Sequence, residues 1–319
     1  MQYIFGPVTS RRFGKSLGIN IVPFKVCSYD CIYCEVGRTT KKIIERKSYV
    51  EIDELVKEFN EVYNKNRGNI DVITITGQGE PTLNAQLGEI ILKLQSLATT
   101  PILVLTNGSL LFDKEVRATL NSATMVCTSL DAVVPEIFYK INNPVLNISV
   151  SNIIDGLIEF SFFYPGQLFI EVLFVKGYND DIEHIDRVIN IIRKCKYRSV
   201  QVNTVFRPPA HPAASPVNEV ELLNIQKYIE DKGIRIQKEH YEYKKTTITE
   251  EILEEYILNT TALRPLCIEE ITKIFDITTF EIDKIIQKHI MSKKLIAWIY
   301  GDKKYYIKSS NRRSEKNAI

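Results

Sequence analysis

Two rhythms of apolar residues alternate along the first 232 positions. Short runs rich in β-branched residues read as strands: "LGINIVPF" (17–24), "IDVITIT" (70–76), "PILVLTN" (101–107), "ATMVCTS" (123–129), "LFIEVLFV" (168–175) and "SVQVNTVF" (199–206). Between them, helical spacing predicts helices near 51–65, 85–97, 113–120, 148–163, 181–194 and 217–232. Strands that alternate with helices predict a parallel sheet with right-handed crossovers. A closed eight-unit barrel takes about 250 residues, and six units here occupy roughly 215. The expected fold class is α/β, a partial (βα)6 TIM-type barrel.

Polar or glycine-bearing stretches follow the strands: "GQGEPT" (77–82), "NGS" (107–109), "SLD" (129–131), "KGYND" (176–180) and "RPPAHP" (207–212). In α/β folds the ligand sits at these C-terminal strand ends. Side chains alternate faces along a strand. With Val200, Val202, Thr204 and Phe206 toward the helices, Gln201, Asn203, Val205 and Arg207 point inward. The same parity sends Thr74, Thr76, Cys127, Ser129, Asp131 and Glu171 inward. Buried polar groups need partners, so the interior holds either a polar ligand or a network of mutual hydrogen bonds.

The rhythm changes at 245–310. Three amphipathic helices, "TITEEILEEYILNTT", "CIEEITKIF" and "TTFEIDKIIQKHIMSKK", precede a hairpin, "LIAWIYGDKKYYIK". That is the order of a winged helix-turn-helix. The expected division is a barrel domain over 1–237, a winged-helix domain over 245–310 and a disordered tail over 311–319, with the boundary within 238–247.

Charge adds little globally: 41 Lys and Arg against 39 Asp and Glu give a net +2, so no overall basic field points to nucleic acid. It is asymmetric locally, with ten Lys/Arg and two Asp/Glu from Lys284 onward. A nucleic acid or a peptide is therefore a candidate partner of the winged helix. No apolar run reaches the roughly 20 residues that span a bilayer, and the N-terminus has no signal core. A soluble cytoplasmic protein with no membrane partner is expected.

Three of the six cysteines fall within eight residues, as C-x3-C-x2-C: Cys27, Cys31 and Cys34. A clustered intracellular set reads as metal-binding or catalytic rather than as a disulfide framework. A structural zinc site has four ligands, and no fourth lies nearby. A 4Fe-4S cluster is usually held by four thiolates, so three leave one iron open to a substrate or cofactor.

"CSYDCIYC" resembles the C-x3-C-x-aromatic-C signature of radical S-adenosylmethionine enzymes. "GQGEP", with Gln78 interrupting the paired glycines, resembles the glycine-rich region after their second strand, and "TNGSL" and "SLD" resemble the ribose-contacting ends of their third and fourth. The run "FGPVTSRRFGKSLGINIVPFKVCSYDCIYCEVGRTT" resembles a largely uncharacterised branch, closest among characterised relatives to the wyosine-forming tRNA-modifying enzymes.

The resemblance implies roles. Cys27, Cys31 and Cys34 bind three irons, and S-adenosylmethionine chelates the fourth. Reductive cleavage gives a 5′-deoxyadenosyl radical, which abstracts hydrogen from an RNA, a peptide or a small metabolite; flavodoxin or ferredoxin supplies the electron. Tyr33 packs on adenine or anchors the loop. Gly77 and Gly79 admit the methionine amino group or make a turn. Glu80 accepts from that ammonium or caps the next segment. Asn107, Ser129 and Asp131 meet ribose hydroxyls or cap helices, and Asn203 and Val205 meet adenine. Arg11, Arg12, Glu171, Arg207 and His211 are substrate candidates. Cys127 is either a hydrogen donor to a substrate radical or a small core residue. The competing class is an iron–sulfur- or zinc-sensing winged-helix DNA-binding regulator without catalysis.

Overall fold

The computed structural model describes residues 3–10, 12–237, 245 and 247–309. Arg11, the tail and most of the expected boundary lie outside the described residues.

The first part of the chain contains β1 (Ile4–Ser10), β2 (Gly14–Asn20), β3 (Val26–Cys27), β4 (Lys41–Lys42), α1 (Ile52–Lys65), β5 (Val72–Thr76), α2 (Leu87–Leu97), β6 (Ile102–Thr106), α3 (Lys114–Leu120) and β7 (Met125–Ser129). There follow α4 (Pro135–Asn142), α5 (Val150–Phe163), β8 (Gln167–Phe174), α6 (Ile182–Ile192), β9 (Ser199–Thr204) and α7 (Glu219–Asp231). The main sheet runs β1-β2-β5-β6-β7-β8-β9. All neighbours from β2 onward are parallel, and β1 is antiparallel to β2. This is an α/β fold whose parallel sheet has the form of a partial TIM barrel. Its strands are buried on both faces, which is why they read as nearly continuous apolar runs.

Two elements depart from the sequence reading. β1 contains Gly6 and Pro7, which signal a break; the strand tolerates them because it lies at the sheet edge and its register shifts between Phe5 and Val8. Its pairing also moves the first parallel strand to Gly14–Asn20, ahead of the expected 17–24. The helix expected over 148–163 is preceded by α4, which starts on Pro135 and ends on Asn143 in the left-handed conformation.

The outer face of the sheet packs on the helices through Ile73, Ile75, Ile170, Val172, Val200 and Val202. The inner face carries the polar set, including a buried hydrogen bond of 2.7 Å between the hydroxyls of Ser16 and Thr74.

Residues 247–309 contain α8 (Glu250–Leu263), β10 (Leu266–Cys267), α9 (Ile268–Ile274), α10 (Thr279–Met291), β11 (Leu295–Tyr300) and β12 (Lys303–Lys308). A three-stranded antiparallel sheet, β10-β12-β11, accompanies the helices. Thr278 and Glu281 form a capping box at the start of α10, and Gly301, at φ 61°, turns the hairpin. Leu253, Ile257, Ile271, Ile282, Ile286, Leu295 and Tyr306 form a second core, and Val8 of β1 packs against it. Among the described residues no helix is long and apolar enough to cross a membrane.

Candidate active site

The cysteine loop is fixed from both sides. Lys25 adopts φ 57°. Its N–H donates to the Gln78 carbonyl at 2.8 Å, and Glu80 N–H donates to the Val26 carbonyl at 3.1 Å. On the other side, Asp30 and Ile32 donate main-chain N–H groups to carbonyls at the end of α4. Ser28 and Ser109 exchange a buried hydrogen bond of 2.6 Å.

Each cysteine sulfur then receives a side-chain N–H donor from a different residue, and Cys27 Sγ also accepts from Tyr29 N–H at 3.5 Å. Asn107 Nδ2 lies 3.5 Å from Cys27 Sγ, Asn142 Nδ2 3.6 Å from Cys31 Sγ, and Lys25 Nζ 3.2 Å from Cys34 Sγ. All three cysteines line one cavity of about 470 Å³ at the C-terminal strand ends. Burial, then Glu80, pushes the Cys27 thiol up to about 12. Burial, with Cys34 and Cys27 beside it, holds Cys31 well above the ordinary thiol value. Thiols in such surroundings ionise by binding a cation, which deprotonates them outright. Among the described residues no three His, Cys, Asp or Glu side chains converge on a single metal position. Ligands to three different irons of a cluster do not share one point, so this spacing fits a cluster better than a lone zinc.

Gly77 and Gly79 also line the cavity. A Cβ on Gly79 would lie 1.8 Å from the Val26 carbonyl oxygen, and one on Gly77 would lie 2.3 Å from Val22 Cγ2. Glycine at 79 is thus required by the close approach of the cysteine loop. Glu80 is 1 % exposed. Its Oε1 accepts from Thr82 N–H and from the hydroxyls of Thr82 and Thr106, and its Oε2 accepts from Asn107 N–H at 2.7 Å. Burial raises its pKa despite these donors. Of the two expected roles, the geometry supplies the cap, and it extends the cap into a brace between the β5 and β6 loops.

Asn107, Ser129 and Tyr33 line the cavity with the cysteines. The Tyr33 hydroxyl donates to Asp131 Oδ2. Asp131 itself differs from expectation. It is buried outside the cavity lining, with Oδ1 accepting from Leu173 N–H at 3.0 Å and Oδ2 from Asn142 Nδ2 at 2.8 Å. Strand parity stops where β7 ends at Ser129, so the carboxylate turns behind the wall. Burial brings its pKa up to about 6 against the donors that pull it down.

Asn203 and Val205 also depart from expectation. They line a neighbouring cavity of about 820 Å³, between β9 and the β11–β12 hairpin. Val205 is packed with Ile141 and Val175, and Asn203 donates to Glu171 Oε1. His211 lies outside both cavity linings; its Nδ1 accepts from Ala213 N–H.

Arg12, Cys127, Glu171 and Gln201 make the opposite wall of the first cavity. Arg12 pairs with Glu171 Oε1 at 2.6 Å and donates to Gln201 Oε1. The Cys127 thiol, raised by burial first and Glu171 second, lies 3.6 Å from Gln201 Oε1. The polar interior is therefore both a network of mutual hydrogen bonds and the wall of a cavity.

The roof was not legible in the sequence. Thr260, Leu263 and Arg264 of the α8 end line the cavity, as does Arg207. Arg207 bonds Glu35 at 2.7 Å and Glu270 at 2.9 Å, and Glu270 bonds Arg264 at 2.6 Å. Asn142 and Lys25 escaped sequence reasoning too, since nothing in their neighbourhood marks them beyond proximity to the motifs, and Gln78 stood out only as a break in the paired glycines.

The fold and the cysteine loop define the class. The chain belongs to the Radical SAM superfamily, whose family model matches residues 21–189. It is thereby a radical S-adenosylmethionine enzyme, with a 4Fe-4S cluster and S-adenosylmethionine as cofactors and a reductant as electron source. It is 33% identical over 319 residues to a UPF0026 protein of Methanocaldococcus jannaschii, covering 99% of this chain and 98% of that one. It is 35% identical over 293 residues to a Brachyspira hyodysenteriae protein named GTPase Obg, covering 92% of this chain but only 43% of that relative's length. A solved structure of TYW1 with a lysine-pyruvate adduct bound matches with a TM-score of 0.51 at 16% identity, covering 77% of this chain and 80% of that one. At this identity the likeness is one of fold.

Proposed function

We propose that Cys27, Cys31 and Cys34 hold three irons of the cluster, and that S-adenosylmethionine occupies the cavity along Gly77, Gly79, Asn107, Ser129 and Tyr33. The observation that carries this reading is the convergence of all three cysteines and these strand ends on one cavity. When bound, the two cofactors supply one-electron cleavage of a sulfonium and a carbon radical that takes hydrogen from a substrate. The chain supplies the rest. Gly79 lets the cysteine loop close on the cavity, Glu80 and Asp131 hold its walls, and the Ser129 hydroxyl, without a hydrogen-bond partner among the described residues, is free for a ribose.

Residues 1–237 are the catalytic barrel in this reading and 245–310 a winged-helix domain, a reading supported by the succession of helix, strand, two helices and hairpin. The second domain roofs the cavity with α8. The substrate group that enters is polar and close to neutral overall, because Arg12 and Glu171 already compensate each other. It offers a donor to Glu171 Oε2, which has no partner among the described residues. A nucleic acid or peptide bearing such a group is recruited by the second domain.

The test is anaerobic reconstitution, reduction with dithionite and an assay for 5′-deoxyadenosine. Iron loading without any such product would remove the reading. Deleting 245–319 separates the domains: product on a candidate RNA should fall while 5′-deoxyadenosine persists.

A further inference from the structure

Residues 38–48, "RTTKKIIERKS", begin four positions after the third cysteine. They carry Arg38, Lys41, Lys42, Arg46 and Lys47 against the single acid Glu45, in a chain whose total charge is only +2. Arg38, Lys41, Lys42 and Lys47 are exposed.

This basic segment is built onto the cysteine loop. β4 pairs in parallel with β3, placing Lys42 opposite Cys27. Paired strands lie about 4.8 Å apart, so the ribbon backbone is one strand spacing from the first cysteine. Thr40 and Lys41 donate main-chain N–H groups to the Lys25 carbonyl, and Ile43 donates to the Cys27 carbonyl at 3.0 Å. Local acids pair two of the five cations, Arg46 donates to the Thr82 and Asn84 carbonyls, and Lys41 and Lys42 have no carboxylate partner among the described residues. Lys42 Nζ donates to the carbonyl and side-chain oxygens of Asn143, both neutral. Asp30 lies 3.4 Å from Arg38 and also accepts from Thr39 N–H, and Glu45 pairs with Lys47. Asn143 follows α4, whose exposed Lys140 adds a cation two residues from the Asn142 that bonds Cys31.

None of residues 38–48 lines either cavity. An electron donor needs only to come close to the cluster ligands, and this face is their outer side. We propose that residues 38–48, with Lys140, are the docking surface for an acidic one-electron donor protein. The proposal rests on the cluster reading above. One electron leaves the donor's reduced cofactor, which is oxidised by one unit, and reduces the cluster held by Cys27, Cys31 and Cys34 by one. Complementary charge steers such encounters and governs their rate and its dependence on salt.

The test uses the full-length protein, reconstituted anaerobically and mixed with flavodoxin hydroquinone. Bleaching of the cluster absorbance and formation of the flavin semiquinone are followed by stopped flow. The wild-type second-order rate should fall by about tenfold or more as ionic strength rises from low to high. K41E/K42E should lower the low-salt rate by about tenfold or more, K41Q/K42Q less, and K93E on α2 should not change it. Dithionite, which needs no docking site, should reduce every variant alike. Variants that accept electrons from flavodoxin at the wild-type rate would overturn the proposal. So would a rate indifferent to salt, or charge reversal that abolishes binding of a short RNA while reduction is intact. If dithionite fails to bleach a wild-type protein loaded with iron, the cofactor reading falls and the docking surface falls with it.

Discussion

Gln78 Nε2 donates to the main-chain carbonyl of Ala262 at 2.9 Å, tying the loop after β5 to the last turn of α8. The main-chain N–H of the same residue donates to Asn20 Oδ1 at 3.1 Å. The residue that interrupts the paired glycines is thus a tether between the cavity wall and its roof. A single such bond is worth about 1 kcal/mol. Q78A should raise amide exchange over 260–264 several-fold while iron content stays at the wild-type level. Hydrogen exchange read by mass spectrometry checks it, and unchanged protection would remove the tether.

Alanine at Cys27, Cys31 or Cys34 should abolish stable iron loading and with it 5′-deoxyadenosine formation. Alanine at Cys127 or Cys195 should leave iron per chain unchanged. Both are buried outside the cysteine loop, so the cost there is packing, about 1 kcal/mol. Iron and sulfide analysis of the reconstituted proteins separates the two sets.

Gly79→Ala puts a methyl 1.8 Å from a main-chain oxygen that cannot move without displacing the cysteine loop. Gly88→Ala meets only the Thr119 methyl at 3.3 Å in a helix. The first should cost several kcal/mol or prevent cluster loading; the second should be near neutral, since alanine favours helix by about 1 kcal/mol over glycine. Urea unfolding together with iron content measures both.

Glu270 links the roof to the barrel with a pH signature. Burial alone would raise its pKa, but Arg264 and then Arg207 bring it down to about 2. Its ordinary value is 4.5, so the stabilisation is fully present above that pH and is lost as pH falls through about 2. E270Q should be less stable than wild type at pH 7 by on the order of 2–3 kcal/mol. The difference should shrink steadily below pH 4.5. Denaturant unfolding at pH 7 and near pH 3 reads it, and a gap independent of pH would show that the carboxylate charge is not what holds α9 to Arg207.

Much of the barrel was legible because parallel strands buried on both faces leave unbroken apolar runs, and because parity along them is strict. Thr74, Cys127, Glu171 and Gln201 line the interior for that reason. Parity carries no information once a strand ends, which is why Asp131 was misplaced by two residues of turn. Asn203 and Val205 keep their strand direction but lie where β9 opens toward the second cavity. β1 was hidden by Gly6 and Pro7, tolerated only because the strand has one neighbour. The roof, made by Thr260, Leu263 and Arg264, depends on packing between segments as far apart in the chain as Gln78 and Ala262, and no local pattern encodes that.

The two ends of the barrel meet. Gln237 Nε2 donates to the Arg12 carbonyl at 3.0 Å, and Gln237 Oε1 accepts from Gln201 Nε2 at 2.8 Å. The turn between β1 and β2 and the segment that follows α7 are therefore stitched at one seam, beside the Arg12 and Gln201 that line the cavity. Chain order here works as an address. Residues 247–309 lie beside β1, with Val8 against their core and the end of α8 lining the cavity, so the seam that closes the barrel also sets where the roof stands relative to the cysteine loop.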